Sequence, residues 1–573
     1  MKLIWHVLLR RHKALLFLVI FFNILQLGLI LAQPLLLSAL NNKSDISQPT
    51  TSQDTYILGG ILIALAVVWI IIILIKNYLL TRLEVAVMEQ LQKKVFEKSM
   101  FLSLEDKQLF SKSKLINICV KDVKEISKTS TFIFRPMFLG ILYFIGAIVL
   151  LFVLNGKNWQ IPVAIVTIAV SIGIIYGCFA IWARKFWVRT KKASDKLAVS
   201  IHEKINGVRP IRSFLLQSVF DYDIEKRWKE VVHKSEYAAL VIQGALAFAT
   251  VVIYLISPFI LLLGITVTNL KAADILSIMQ SSNLLILGIT LIALSTEQLL
   301  RTNVSFIRTR EIIFYKNKIE YTGTKSILTN DIVFDNVSFM YDKEGGNVLK
   351  NVSFKINSDE TVGIIGTTGS GKTTLINLLM HRLVPTEGNI LVDNIPIKEI
   401  DIKCLRSSFS INEQTPLLFK GTFIHNILFG QKNIEKEIID ESIDIAQARD
   451  FIFSTEKGLE SLVAPKAKNL SGGQKQRLAI ARALCRKGAR TLILDDSTSA
   501  LDMITERKLI NALKKQNRFK SIIIIAQRIT NIVNCDKIIV MDSGRIVGMG
   551  KWNELLKDCQ VFKEIYQSQI KED

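Results

Sequence analysis

The chain has 573 residues, 50% of them hydrophobic, and a formal net charge of +22. It is too long for one domain and, at a mean hydropathy of +0.34, too apolar for an ordinary soluble protein, so a membrane part joined to a soluble part is the natural reading. Cys119, Cys178, Cys404, Cys485, Cys535 and Cys559 are scattered without a CxxC pair, which argues against a disulfide framework or a zinc site and suits a reducing compartment.

The first element is an apolar run from Ala14 to Leu40, longer than a signal-peptide core and read as an uncleaved first span. Five more candidate spans follow at Tyr56 to Ile75, Pro136 to Leu154, Ile161 to Trp182, Tyr237 to Val267 and Ile275 to Leu294. Each is long enough for a hydrocarbon core of about 30 Å. With the N-terminus inside, the outer connections carry only Lys43, Lys157 and Lys271, while the inner ones are dense in lysine and arginine. The positive-inside rule therefore places both termini in the cytoplasm of a plasma (inner) membrane protein, and the basic excess needs no nucleic acid.

The inner connections, Lys76 to Thr131 and Arg184 to Glu236, are too long for hairpins and show helical spacing of apolar residues. They are expected to continue the spans as long helices rather than fold as separate inserts. "MQSSN", Met279 to Asn283, is expected to line a cavity or to bond between helices. After Phe314 a polar stretch precedes short strands alternating with helices, "DIVFDNVSF", "TVGIIG", "TLILD", "SIIIIA" and "KIIVMD", the pattern of an α/β domain with a largely parallel sheet.

The chemistry lies in this second part. Gly366, Thr367, Thr368, Gly369, Ser370, Gly371, Lys372 and Thr373, followed by Thr374, form G-x-x-x-x-G-K-[ST] between a strand and a helix. Its glycines let backbone N–H groups and a helix N-terminus cradle phosphates; Lys372 reaches the β/γ-phosphates of ATP and the Thr373 hydroxyl ligates Mg²⁺. Asp495, ending "TLILD", is placed to hold Mg²⁺ through its water shell. Between them, Leu470, Ser471, Gly472, Gly473 and Gln474 put a hydroxyl and free amides at the start of a helical segment, a second anion site.

On these motifs the chain resembles, over nearly its whole length, a half-transporter of the ABC exporter family. The resemblance implies an all-α transmembrane domain of six helices (1–315) with long cytoplasmic extensions, a linker (316–330), and an α/β P-loop nucleotide-binding domain (331–573) with a helical signature subdomain. It also implies that Tyr341 stacks on adenine, that Gln414 is the Q-loop residue contacting Mg²⁺, that Asp502 is the D-loop aspartate, and that short helices near 101–110 and 202–214 dock on nucleotide-binding domains. The implied cargo is a small hydrophobic or amphipathic compound, a drug or a lipid.

Two positions depart from the family pattern. Asp496 stands where a catalytic Glu follows the Walker B aspartate, and Gln527 stands where the switch His is expected. Aspartate is one methylene shorter, a misplacement that costs ~10²-fold in rate, and glutamine can hydrogen-bond the γ-phosphate but cannot carry the positive charge or exchange a proton as imidazole does. In the family each ATP lies between one chain's Walker motifs and the other chain's signature. The chain is thus expected to be the degenerate subunit of a heterodimer whose partner keeps the Glu and the His. Alternatives are a slow homodimeric exporter and an ATP-binding regulatory membrane module that does not pump. A further departure precedes the signature, where "LVAPKAKN" puts Pro465 near an expected Glu.

Overall fold

The computed structural model describes residues 12–43, 52–154, 159–266, 272–341 and 346–570. The chain divides into two units: Met1–Leu102 with Phe110–Lys316, and Asn317–Asp573 together with the short segment Ser103–Leu109.

The first unit is helical. Its principal helices are α1 (Lys13–Lys43), α2 (Ser52–Met100), α4 (Phe138–Leu154), α5 (Gln160–Asn206), α6 (Gln217–Thr266) and α7 (Ala272–Ile313), while α3 (Leu104–Leu109) clusters with the second unit. Helices α2, α5 and α6 run 49, 47 and 50 residues. At 1.5 Å per residue each is roughly 70–75 Å long, more than twice a hydrocarbon core of about 30 Å. The long connections are therefore continuations of the spans. Pro136 lies in a π-helical turn, Ile133–Met137, just before α4, where its missing N–H interrupts the α-helical ladder.

Among the described residues, helical windows apolar enough to cross a membrane are Lys13–Leu36, Gly59–Met100, Lys112–Val153, Pro162–Phe179 and Ile278–Thr296. The remaining expected span, Tyr237 to Val267, falls largely in α6, where many side chains lie outside the described residues, as do Lys157 and Lys271 of the outer connections. Phe17, Ile63, Leu74, Val153 and Ile174 are each more than 60% exposed, an outward apolar surface suited to lipid. In "MQSSN" the Ser282 hydroxyl bonds back to the Ile278 carbonyl at 2.8 Å within its own helix.

The second unit holds β1 (Ile332–Phe339), β2 (Leu349–Ile356), β3 (Thr361–Gly366), β4 (Glu387–Val392), β5 (Ile395–Pro396), β6 (Phe409–Asn412), β7 (Gly421–Thr422), β8 (Leu462–Val463), β9 (Thr491–Asp495), β10 (Ser521–Ala526), β11 (Lys537–Asp542) and β12 (Arg545–Gly550). A six-stranded sheet runs β12-β11-β3-β10-β9-β6, parallel except for the edge strand β12. Alternate residues of its inner strands feed two cores, Leu492, Leu494, Ile522 and Ile524 on one face and Ile493, Ile523 and Ile525 on the other. Burial on both faces explains why these strands read as unbroken apolar runs. A second sheet, β2-β1-β4-β5, is antiparallel, and β7 and β8 form a small ribbon. The stretch read as a polar linker is packed into this unit. Ile319 and Ile327 are buried, and the Asp393 carboxylate accepts backbone N–H bonds from Leu328, Thr329, Asn330 and Asp331.

In the helical unit α4 and α7 come into close backbone contact at a pair of glycines. A Cβ on Gly140 would lie 2.7 Å from the Gly288 carbonyl oxygen, and one on Gly288 would lie 2.8 Å from that of Gly140. Small residues let the backbones meet in this way. Gly288→Val is expected to separate the pair at a cost of roughly 1–3 kcal/mol, seen as a lower unfolding midpoint of the detergent-solubilised chain. Gly173→Val, with nothing within 4 Å of its added Cβ, is expected to leave the midpoint unchanged.

Candidate nucleotide site

Strand register assembles the site. Ile525 of β10 pairs with Ile364 of β3 on one side and Asp495 of β9 on the other, while Asn412 of β6 pairs with Leu494. Four parallel strands thus end along one edge, and the loops that leave them carry Gly366–Thr373, Gln414, Asp496 and Gln527. Ligands of open α/β sheets bind outside this carboxyl edge.

The loop after β3 wraps tightly before helix α8 (Lys372–Leu379). Gly371 has φ +98°, and a Cβ on Gly366 would sit 2.1 Å from the Met541 carbonyl oxygen, so both positions require glycine. Lys372 Nζ donates to the carbonyls of Gly366 and Thr367, each at 2.8 Å, and to Ser370 Oγ at 3.3 Å, holding the ammonium over the loop. Thr368, Gly369, Gly371, Lys372, Thr373 and Thr374 line a cleft of about 280 Å³ together with Gln414, Asp495, Asp496 and Gln527. Val348 and Ile525 complete its wall.

Asp496 is the hub of the cleft. Its backbone lies in the left-handed region, φ 46°, with its N–H donated to the Ile525 carbonyl at 2.9 Å. One oxygen, Oδ2, accepts from Gln414 Nε2 at 3.1 Å and from Gln527 Nε2 at 2.8 Å. Burial, followed by the neighbouring charge of Asp496, pushes the Asp495 carboxyl above the usual carboxylate range, against the pull of Thr373 and Lys372. Asp496 is raised too, chiefly by burial and further by Glu506, while Gln414, Lys372 and Arg528 oppose the rise. Burial lowers Lys372, and the two aspartates oppose that. Two crowded carboxylates beside a threonine hydroxyl and a glycine-lined anion cradle form a donor set that fits a hard divalent cation carried by a phosphate chain.

Tyr341 stands apart from this lining, 46% exposed, its hydroxyl 3.1 Å from Thr374 Oγ1 and its ring edge-on to Phe339. The signature residues Leu470–Gln474 are likewise outside the cleft. Ser471 caps helix α9 (Gly472–Leu484) through a capping box with Gln474, and a Cβ on Gly473 would lie 3.1 Å from the Ala500 carbonyl oxygen. Asp502 caps helix α10 (Met503–Lys515), accepting the Thr505 N–H at 2.9 Å. Before the signature, Lys466 and Ala467 both have positive φ.

Two supports escaped sequence reasoning. Glu506, 3% exposed, accepts from Arg528 and Asn531 at 2.8 and 2.7 Å. Gln569 of the C-terminal helix α11 (Gln560–Ile570) clamps the loop that carries Gln527, donating to its carbonyl at 2.7 Å and accepting the Ile529 N–H at 2.8 Å. Neither has a local motif; both partners become neighbours only in the fold.

Comparison with known proteins agrees with this architecture. The family described as ABC transporter matches residues 349–499, and the ABC transporter transmembrane region matches 16–289. The chain is 31% identical over 504 residues to the ABC transporter ATP-binding protein MG014 of Mycoplasma genitalium, spanning 84% of this chain and 80% of that one. It is 29% identical over 553 residues to the uncharacterized ABC transporter ATP-binding protein YfiB of Bacillus subtilis, spanning 95% and 94%. It is 28% identical over 505 residues to an ATP-dependent lipid A-core flippase of Idiomarina loihiensis, spanning 86% and 85%. In fold it is similar to a bacterial Atm1-family ABC exporter solved with ATP bound, at a TM-score of 0.87 and 20% identity over 98% of this chain and 99% of the other. The chain belongs to the ABC transporter family, with a transmembrane region and an ATP-binding domain in one polypeptide.

Proposed function

We propose that this chain is one subunit of an ATP-driven exporter of hydrophobic or amphipathic compounds, that its own Walker site binds ATP and turns it over slowly, and that its signature completes the competent site of a partner half-transporter. The observation that carries this reading is the single Asp496 oxygen shared by Gln414 and Gln527. A carboxylate already accepting two amide protons at one oxygen is a poor base for water there, and its side chain is one methylene short of the family's Glu. Gln527 supplies a hydrogen bond without the charge of a protonated imidazole.

On this reading the loop amides and Lys372 hold the phosphates, and Thr373, Asp495 and Gln414 hold Mg²⁺, which when bound neutralises charge on the phosphate chain. Tyr341 faces the base, and Leu470 to Gln474 with Asp502 serve the partner's nucleotide. Six spans, both termini in the cytoplasm and a helical signature subdomain complete the arrangement. The lipid A-core flippase relatives favour an amphipathic cargo. The complete signature also fits a homodimeric exporter, which requires substrate-stimulated turnover from this chain alone.

Asp496→Glu alone is expected to leave turnover at this site ~10²-fold below that of a competent site while Gln527 remains, and the double change with Gln527→His is expected to raise it. Single-turnover assays on each site decide this, and full rescue by Asp496→Glu alone contradicts the two-defect reading. Ser471→Arg is expected to abolish most ATPase of the assembled complex although it leaves this chain's own Walker residues intact. Retained activity means that the competent site does not use this signature.

A further inference from the structure

Lys76 of α2 lies inside the helical unit, 2% exposed, and among the described residues no carboxylate pairs with it. Its ammonium donates to Gln26 Oε1 and, at 3.5 Å, to Asn23 Oδ1, both on α1. These amides are fixed from behind. Gln26 Nε2 donates to the Tyr143 hydroxyl at 2.9 Å, and Asn23 Nδ2 donates to the carbonyls of Val19 and Phe134 at 2.8 and 3.0 Å. These two neutral oxygens accept from the ammonium but do not cancel its charge, which is costly at a buried site.

Lys76 borders a cavity of about 310 Å³ whose lining includes Gln26, Asn77, Thr131 and Arg135. The described lining holds two cations and no carboxylate. Glu84 stands outside it, accepting the Thr131 hydroxyl at 2.9 Å. Elsewhere the wall is apolar, including Leu139 and Leu291. Two like charges lining one small cavity repel each other, and an occupant bearing negative charge relieves both at once. Apolar surface beside the cations suits a chain attached to that charge.

We infer that this cavity binds the phosphate or carboxylate headgroup of an anionic amphiphile, with Lys76 and Arg135 as its counter-charges. The inference deepens the exporter reading and rests on it for the role of the ligand as cargo. Binding is independent of turnover, so the two fail separately.

The test is equilibrium binding of dodecyl phosphate to the full chain in nanodiscs of zwitterionic lipid, without nucleotide, beside dodecyltrimethylammonium and inorganic phosphate. Dodecyl phosphate is expected to bind saturably and to weaken by about tenfold or more in Lys76→Gln and in Arg135→Gln, the loss of a charged hydrogen bond. Arg135→Lys is expected to retain binding. Unchanged affinity in both Gln variants, or equal binding of the cationic amphiphile, overturns the site. Inorganic phosphate bound as tightly as dodecyl phosphate overturns the amphiphile assignment. Arg135 is exposed, so its variant keeps the test decisive where Lys76→Gln fails to fold. Intact binding with no transport contradicts the exporter reading and leaves the site standing.

Discussion

Parallel, in-register pairing of β3, β10, β9 and β6 is the constraint on which the nucleotide site depends. Residues 364, 525 and 495 stand level across the sheet, so the next one or two residues of each strand must emerge at the same edge. A one-residue slip of β9 would turn Asp495 to the other face and carry Asp496 away from both glutamines. The two cores that clamp the sheet fix that register, because alternate residues of β9 and β10 are committed to opposite faces. Packing thereby determines the chemistry at the edge.

Within that frame the site is built around charge that remains uncancelled. Asp495 and Asp496 are adjacent, buried and both raised, with Lys372 held back on its own loop. Such an arrangement is stabilised by a divalent cation and a phosphate chain arriving together. The left-handed backbone at Asp496 aims its short side chain at Gln414 and Gln527, a local strain of the kind that collects at functional sites. The helical unit repeats the theme at Lys76 and Arg135, which line a cavity with no carboxylate among its described residues.

The features legible in the sequence were those with short-range causes. Gly366 to Thr373 has a fixed spacing, "TLILD" and "SIIIIA" are apolar because both sheet faces are covered, and the length of α2 and α5 follows from unbroken helical periodicity. What sequence could not provide depends on partners distant in the chain. Gln569 meets the loop after β10 across 42 positions, Gln414 meets Asp496 across 82, and Tyr143 meets Gln26 across 117. Lys76 looked like the first basic residue of an inner connection, and only the fold buries it. The polar composition of 316–330 suggested a linker, whereas backbone bonds to Asp393, rather than apolar content alone, hold much of it in place.

The central claim is that this chain's Walker site is the weak one of a pair. Its most direct test is the ATPase rate of the purified chain alone and after co-purification with a similar half-transporter that carries the Glu and the His, with and without an amphipathic compound. Low activity alone and compound-stimulated activity in the pair is the predicted result. Substantial stimulated activity from the chain alone contradicts it, showing that Asp496 and Gln527 suffice for turnover in a homodimer.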